Sequence, residues 1–507
     1  LIGEDNVFIG NYNEFNTIRR IVSEKGITCG IVGPELPLSI GLVDNLREYL
    51  YMIGPTKSLA KIESSKRWAR NFIRGIGLEI YNPDFIRVSP DISNGIDLCF
   101  NFMKLHDGKV AIKLDGLEGG KGVSVWGRDF QDMRQGMKIC KSYVENNRKF
   151  LLEEYLVGKE FSLISVSDGN TSVGLPAIVD YKPLNDGDNG PNTGSMGAIL
   201  YSDGPVFLEK KDIEEAERIN DRVLRELKFM TDENYCGFLY GSYMLTRDGL
   251  KIIEFNCRLG DPEGVLLLES METTLYDICG WLINGKLKDH VDDFTYKTDS
   301  SGERYSYLCK YIVPCGYPEH RVSDVIIDTS VLDDKYEVLL GSLERVDEDQ
   351  YRTLGSRSML VIGKTTDNLN KMEKNMNEWL LKLDNSKLHY RTDLVEMARD
   401  STASCCSSNE YLRSGVNIDL VSETLKHCSV MIERTHTPEV VKNRGGFGGL
   451  FSLNPILSFD LTEPILVTST DGVGTKTEFV YRYLGAAGFS GIGKDVVNHC
   501  INDILVQ

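Results

Sequence analysis

The stretch Asp115-Gly116-Leu117-Glu118-Gly119-Gly120-Lys121-Gly122-Val123 stands directly behind the run Lys109-Val110-Ala111-Ile112-Lys113, whose middle is apolar. Such a run reads as a strand, and the glycines behind it allow backbone conformations closed to other residues. A strand that opens into a glycine-rich loop lets backbone N–H groups approach phosphate oxygens. Lys121 adds a compact positive charge inside the loop, and Lys113 adds a second at the strand end. The spacing matches neither the Walker loop nor the dinucleotide fingerprint. Alone, the stretch reads equally well as a hairpin loop that binds nothing.

Its surroundings predict an α/β and α+β multidomain chain. Upstream, 27–32 is a short apolar strand broken by Gly33-Pro34, a helix pattern covers 38–50, and a strand at 51–53 stops at Gly54-Pro55. That alternation predicts a parallel α/β layer. Downstream, strands are expected at 150–155, 239–245 and 251–255. The last two are joined by the turn formers Thr246-Arg247-Asp248-Gly249. Residues 265–300 read as helical, and 301–395 as short strands with one long helix near 368–383. A small, polar stretch at 396–408 reads as a linker. Residues 409–507 form a further unit with two glycine-rich stretches. The 507 residues suit three or four domains at roughly 150 residues each. The chain opens at Leu1 inside a pattern and stops at Gln507 inside an element, so both ends read as cut.

Three more constellations surround the loop. On a strand, Glu254 and Asn256 point to one face while Phe255 points to the core. A carboxylate and an amide oxygen there suit a magnesium ion shared with nucleotide phosphates, although a half-exposed strand with chance polar residues is the better reading of the pair alone. Glu153-Glu154-Tyr155-Leu156 with Glu160 ends an apolar strand where an adenine and a ribose could bind, or simply where a strand meets solvent. The segment Asp180-Tyr181-Lys182-Pro183 and 186–197 is dense in turn formers and acceptors, which suits a substrate loop. A surface loop fits as well, and a calcium turn fits poorly because the ligand spacing is absent.

Composition narrows the classes. A formal net charge of −18 argues against non-specific nucleic-acid binding. No apolar run reaches the ~18 residues of a membrane helix. Twelve cysteines are scattered without a C-x-x-C pair, so they read as reduced thiols.

Taken together and in this order, the four constellations resemble the ATP-grasp arrangement, and the chain over about 1–395 resembles the glycinamide ribonucleotide synthetase family. Gly33-Pro34-Glu35-Leu36-Pro37-Leu38, Gly54-Pro55-Thr56 with Glu63-Ser64-Ser65-Lys66, 190–198 (GPNTGSMGA), 254–263 (EFNCRLGDPE), Cys315-Gly316-Tyr317-Pro318 and Tyr390-Arg391-Thr392-Asp393 resemble its motifs. The family's opening glycine-rich turn is not seen, Pro183 replaces an arginine, and Ser195 replaces a glycine. The tail is similar to the opening of aminoimidazole ribonucleotide synthetase, through Gly445-Gly446-Phe447-Gly448-Gly449 and Asp471-Gly472-Val473-Gly474-Thr475-Lys476.

The resemblance implies a truncated parallel α/β N-domain (1–60), an ATP-grasp domain (61–300), a small β-rich domain (301–395), a linker (396–408) and a partial α+β second module (409–507). It implies a cytosolic ligase of purine synthesis that joins glycine to 5-phosphoribosylamine using ATP with Mg2+ or Mn2+. ATP would be held by Lys66, Lys113, Gly119, Gly120, Lys121, Gly122, Glu153, Glu154, Leu156, Glu160 and Lys182. The metal would be held by Glu254 and Asn256. The substrates would meet Glu35, Asp186, Asp188, Asn192, Thr193, Gly194, Asp261 and Pro262. Lys113, Lys121, Asp188 and Arg258 would be catalytic. Gly446, Phe447, Gly448, Asp471 and Lys476 would serve the second module, which is expected to dimerise in a full-length protein that also makes aminoimidazole ribonucleotide. No nucleic-acid or membrane partner is implied. A carboxylase-type ATP-grasp enzyme is the rival within the fold, opposed by 190–198 and the tail. A degenerate nucleotide-binding module without turnover is the rival of another class.

Overall fold

The computed structural model describes residues 7–117, 122–320, 323–383 and 386–398, and beyond them three strands, Val440–Val441, Gly449–Ser452 and Ile465–Thr468. The chain divides into two compact units, 1–407 and 408–507. In the second, the three strands form one antiparallel sheet with Gly449–Ser452 in the middle. Gly446, Phe447, Gly448, Asp471 and Lys476 lie outside the described residues, as do Gly119, Gly120 and Lys121.

In the first unit, Cys29–Ile31 pairs in parallel with Tyr51–Ile53, the α/β layer expected there. The single helix expected over 38–50 is two, Glu35–Ile40 and Leu42–Leu46. Gly41 separates them at φ 91°, a left-handed conformation that glycine adopts freely and that stops the α repeat.

A large antiparallel sheet organises the rest. One of its inner strands, Gly158–Asp168, is buried on both faces from residue 161 onward. Phe161 and Leu163 pack with one face of the 22-residue helix Lys210–Thr231, through Ala216, Ile219, Val223 and Leu227. That i, i+3, i+4 spacing makes one apolar stripe. Ile164 and Val166 point the other way, toward Leu266, Leu267 and Ile278 of helices Glu263–Ser270 and Leu275–Ile283. The sheet runs on across residue 300, because Gly197–Leu200 pairs with Ser306–Pro314 and that strand with Met359–Thr365.

A second sheet has four strands, Phe85–Val88, Phe150–Glu154, Val110–Leu114 and Val123–Val125. Strand alternation sends Val110, Ile112 and Leu114 into a core with Cys99, Phe102 and Met103 of helix Gly95–Leu105. The same alternation leaves Ala111, Lys113 and Glu153 on the opposite face, and these three line a cavity.

Candidate active site

The cavity holds about 990 Å³ and is lined from both sheets, by Lys113 and Glu153 of the smaller and by Glu160, Asp180 and Glu254 of the larger. Its two walls differ in charge balance.

On the four-stranded wall, Glu153 is buried and accepts from Arg70 Nε at 2.7 Å and Nη2 at 2.9 Å, a bidentate pair. Lys113 Nζ lies 2.7 Å from Oε2, the oxygen that also accepts from Arg70 Nη2. Burial alone would raise the Glu153 pKa, but Arg70 and Lys113 outweigh it and hold the carboxyl at about 2. Ser65 caps helix Lys66–Gly75 by accepting from Trp68 N, and donates to Asp115. That cap places Lys66, whose Nζ donates to the Gly116 carbonyl at 2.9 Å. Glu154 accepts from Asp84 N. Gly122, Glu154 and Leu156 all line the cavity.

Arg70 reaches the other wall as well. Its Nη1 donates to the Ile252 carbonyl at 2.9 Å and its Nη2 to that of Ile253 at 2.7 Å. Those carbonyls mark a β-bulge. Ser242 pairs with Glu254 and Tyr243 with Ile252, which leaves Ile253 unpaired. Strict alternation from Leu250 and Ile252, both buried, would turn Glu254 into the core as well. The extra residue re-aims the strand, so Phe255 is 2% exposed and Glu254 and Asn256 line the cavity.

The large-sheet wall is rich in acid. Lys182 pairs with Glu160, and its Nζ lies 3.7 Å from Asp180. Burial would lower the Lys182 pKa, yet Asp180, Glu160 and Glu254 push it up. Burial pushes the Asp180 carboxyl well up, opposed by Lys182 and reinforced by Glu263, Glu160 and Glu254. Asp180 Oδ1 is buried without a hydrogen-bond partner. Nearby, Arg258 Nε sits between Glu35 at 3.1 Å and Glu63 at 3.4 Å. Glu63 also accepts from Cys257 N at 2.7 Å. Burial lifts Glu63 to about 7 against the pull of Arg258.

The loop over 186–188 is fastened by residues 391–393. Arg391, fully buried, donates to Asp188 at 2.6 Å and to both oxygens of Asp393. Asp186 accepts from Thr392 N and Oγ1, and Asp393 accepts from Gly187 N. Asp188, Asn192, Thr193, Gly194 and Asp261 line the cavity, whereas Asp186 and Pro262 stand outside its lining. Ser195 sits at φ 100°, where its hydroxyl bonds Gly197 through both carbonyl and N–H. The reading of the sequence passed over Arg70, Glu63 and Arg357 as site residues. Glu63 lies inside a motif already quoted; the two arginines stand in no pattern.

Among the described residues, no group of three or more His, Cys, Asp or Glu is placed to hold a metal ion. Glu254 and Asn256 supply two oxygens, which is enough for an ion that takes its other ligands from phosphates and water. The unpartnered Asp180 oxygen and the acid around it fit an added positive charge. No described helix is long and apolar enough to cross a membrane, and the described cysteines are free.

Residues 4–63 match the family description "Phosphoribosylglycinamide synthetase, N domain", and 64–264 match "Phosphoribosylglycinamide synthetase, ATP-grasp (A) domain". The chain is 34% identical over 358 residues to the phosphoribosylamine–glycine ligase of Methanothermobacter thermautotrophicus, covering 69% of this chain and 78% of that one. It is 34% identical over 388 residues to that of Methanosarcina barkeri, covering 75% and 84%. The crystal structure of the Thermotoga maritima phosphoribosylamine–glycine ligase superposes with a TM-score of 0.53 at 26% identity, over 68% of this chain and 81% of that chain. The paired wall and the acid wall therefore sit in a chain that belongs to the phosphoribosylamine–glycine ligase family, the ATP-grasp ligases of purine biosynthesis.

Proposed function

We propose that this cavity joins glycine to 5-phosphoribosylamine at the expense of ATP, through a glycyl phosphate. The observation that carries the reading is the convergence of Lys66, Lys113, Glu160, Glu254, Asn256, Asp188 and Gly194 on one cavity. Lys66, Lys113 and the Gly122 end of the loop face the phosphates. Leu156 and its neighbours Glu153 and Glu154 meet the adenine, and Glu160 the ribose. Glu254 and Asn256 hold Mg2+, or Mn2+, which when bound neutralises phosphate charge. Lys182 and Arg258 keep the acid wall compatible with an anionic carboxylate, and Asp188 with Gly194 orients the acceptor.

In the first step a glycine carboxylate oxygen attacks the γ-phosphorus. The new O–P bond forms as the bond to the bridging oxygen breaks, and ADP leaves. In the second, the amine nitrogen of phosphoribosylamine attacks the carbonyl carbon. The C–N bond forms, the C–O bond to phosphate breaks, and the nitrogen releases one proton to water. The protein's part is placement and electrostatics. Phosphate release from ATP that requires both glycine and phosphoribosylamine is the expected result. Release with bicarbonate in place of glycine would return the site to the carboxylase-type reading, and none with any acceptor to the binding module.

The domain division at 60, 300, 395 and 408 belongs to the same proposal, as does a cytosolic setting. So does a second module over 409–507 that in the full-length protein dimerises and closes formylglycinamidine ribonucleotide to aminoimidazole ribonucleotide. Its support is the run Asp471-Gly472-Val473-Gly474-Thr475-Lys476 just beyond strand Ile465–Thr468.

A further inference from the structure

Arg357 stands in the turn between strands Gln350–Leu354 and Met359–Thr365, far in sequence from every motif that drew attention. Its backbone is pinned. The Arg357 carbonyl accepts from Ser342 N at 2.8 Å, and the next residue, Ser358, donates to the Ile312 carbonyl at 2.9 Å. The side chain is 20% exposed and lines the cavity. Nη1 donates to two carbonyls, Gly194 at 2.5 Å and Asp261 at 2.9 Å, and Nη2 donates to Asp261 Oδ2 at 2.7 Å. The guanidinium lies 4.5 Å above the Tyr311 ring, and the Tyr311 hydroxyl donates to Asp261 Oδ1 at 2.5 Å.

An isolated exposed ion pair contributes little. This one is different in kind, because a single planar group ties two turns 67 residues apart (261 − 194). Glycine at 194 has a physical reason too. A Cβ there would stand 3.1 Å from Arg357 Cζ, tighter than ordinary packing. Asp261, gripped on both oxygens, is half-exposed and retains lone pairs for a donor such as an ammonium group.

We propose that Arg357 is a positioning residue for the acceptor half of the site, fastening the Gly194 turn to the Asp261 turn. The proposal rests on the ligase reading for which substrates are affected, though not for the fastening itself. A lysine keeps the charge but lacks the rigid fork that reaches three acceptors.

The test is Arg357→Lys, with Tyr311→Phe as a milder second variant. KM for glycine and for phosphoribosylamine are measured beside the Kd of MgATP. Arg357→Lys is expected to raise at least one acceptor KM tenfold or more and to leave MgATP affinity within twofold; Tyr311→Phe moves the same constant less. Unchanged acceptor constants, or a parallel loss of MgATP affinity, overturn the proposal. Hydrogen exchange on the protein alone provides a readout free of turnover. Arg357→Lys is expected to speed exchange at 193–197 and 260–264 relative to 110–114, and equal rates overturn the proposal. Faster exchange in a protein that never uses glycine would remove the ligase reading and leave the fastening role standing.

Discussion

On the four-stranded wall, Glu153 is held by a bidentate arginine and by a lysine that shares one of its oxygens. On the large-sheet wall, Asp180, Glu160, Glu254 and Glu263 crowd around Lys182, and one Asp180 oxygen has no partner. Glu153 and Asp180 are buried, Lys182 and Glu160 are partly exposed, and all four face the same cavity. On the first wall, Arg70 and Lys113 neutralise Glu153. The second is left short of positive charge, which the proposed Mg2+ would supply. Charge is thus balanced differently on the two walls, and Arg70 joins them by holding Glu153 and the bulge beside Glu254 together.

The largest expected effect comes from breaking the balanced wall. Arg70→Met leaves Glu153 buried with Lys113 alone and frees the carbonyls of Ile252 and Ile253. Removing one partner of a buried pair is destabilising by about 3–5 kcal/mol. Urea unfolding checks the figure. A loss below about 1 kcal/mol would show that water reaches Glu153 and that the wall is less closed than its burial implies.

Two buried carboxyls of the site also differ in the sign of their pH dependence. Glu153 is lowered from 4.5 to about 2. Its contribution is present above pH 4.5 and is lost as pH falls from there to 2. Glu63 is raised from 4.5 to about 7. Between those values the folded chain keeps a proton that the unfolded chain has released, so stability falls as pH rises through that window. At about 1.4 kcal/mol per unit, the decline is on the order of 3 kcal/mol. Glu63→Gln is expected to flatten the neutral limb and leave the acid limb in place. A neutral limb unchanged in Glu63→Gln would mean that Arg258 keeps Glu63 ionised throughout.

The sequence carried the strands and the face shared by Glu254 and Asn256. It carried that face for an incomplete reason, since Leu250 and Ile252 point inward and only the bulge at Ile253 restores Phe255 to the core. A bulge leaves no mark in a hydrophobic pattern. The helix over 38–50 failed for a local reason, the left-handed Gly41. Arg70 and Arg357 were invisible for a different one. Apart from Asn82, 12 residues from Arg70, their side-chain hydrogen-bond partners lie 83 to 183 and 96 to 163 residues away, so little near them in the chain announces a role. Ser195 is the opposite case. The motif expects glycine, and the backbone keeps the left-handed φ of 100° that explains why.

Glu254→Gln sets the small end of the stability scale and bears most directly on the comparison. Glu254 lines the cavity on a strand whose core contacts are made by Phe255 and Ile252. The substitution keeps the shape and removes one charge from a wall that already has too much negative charge. Folding stability is therefore expected to stay within about 0.5 kcal/mol of the parent. The effect appears instead in what the acid wall is for. With one oxygen donor weakened and the wall less negative, the gain in ADP affinity that Mg2+ confers is expected to drop by about tenfold, while metal-free ADP binds as well as before or better. Titrating ADP with and without Mg2+ separates the two terms. An unchanged Mg2+ gain would remove Glu254 as a ligand. A stability loss matching that of Arg70→Met would erase the distinction between a wall built to hold the fold and a wall built to receive a cation.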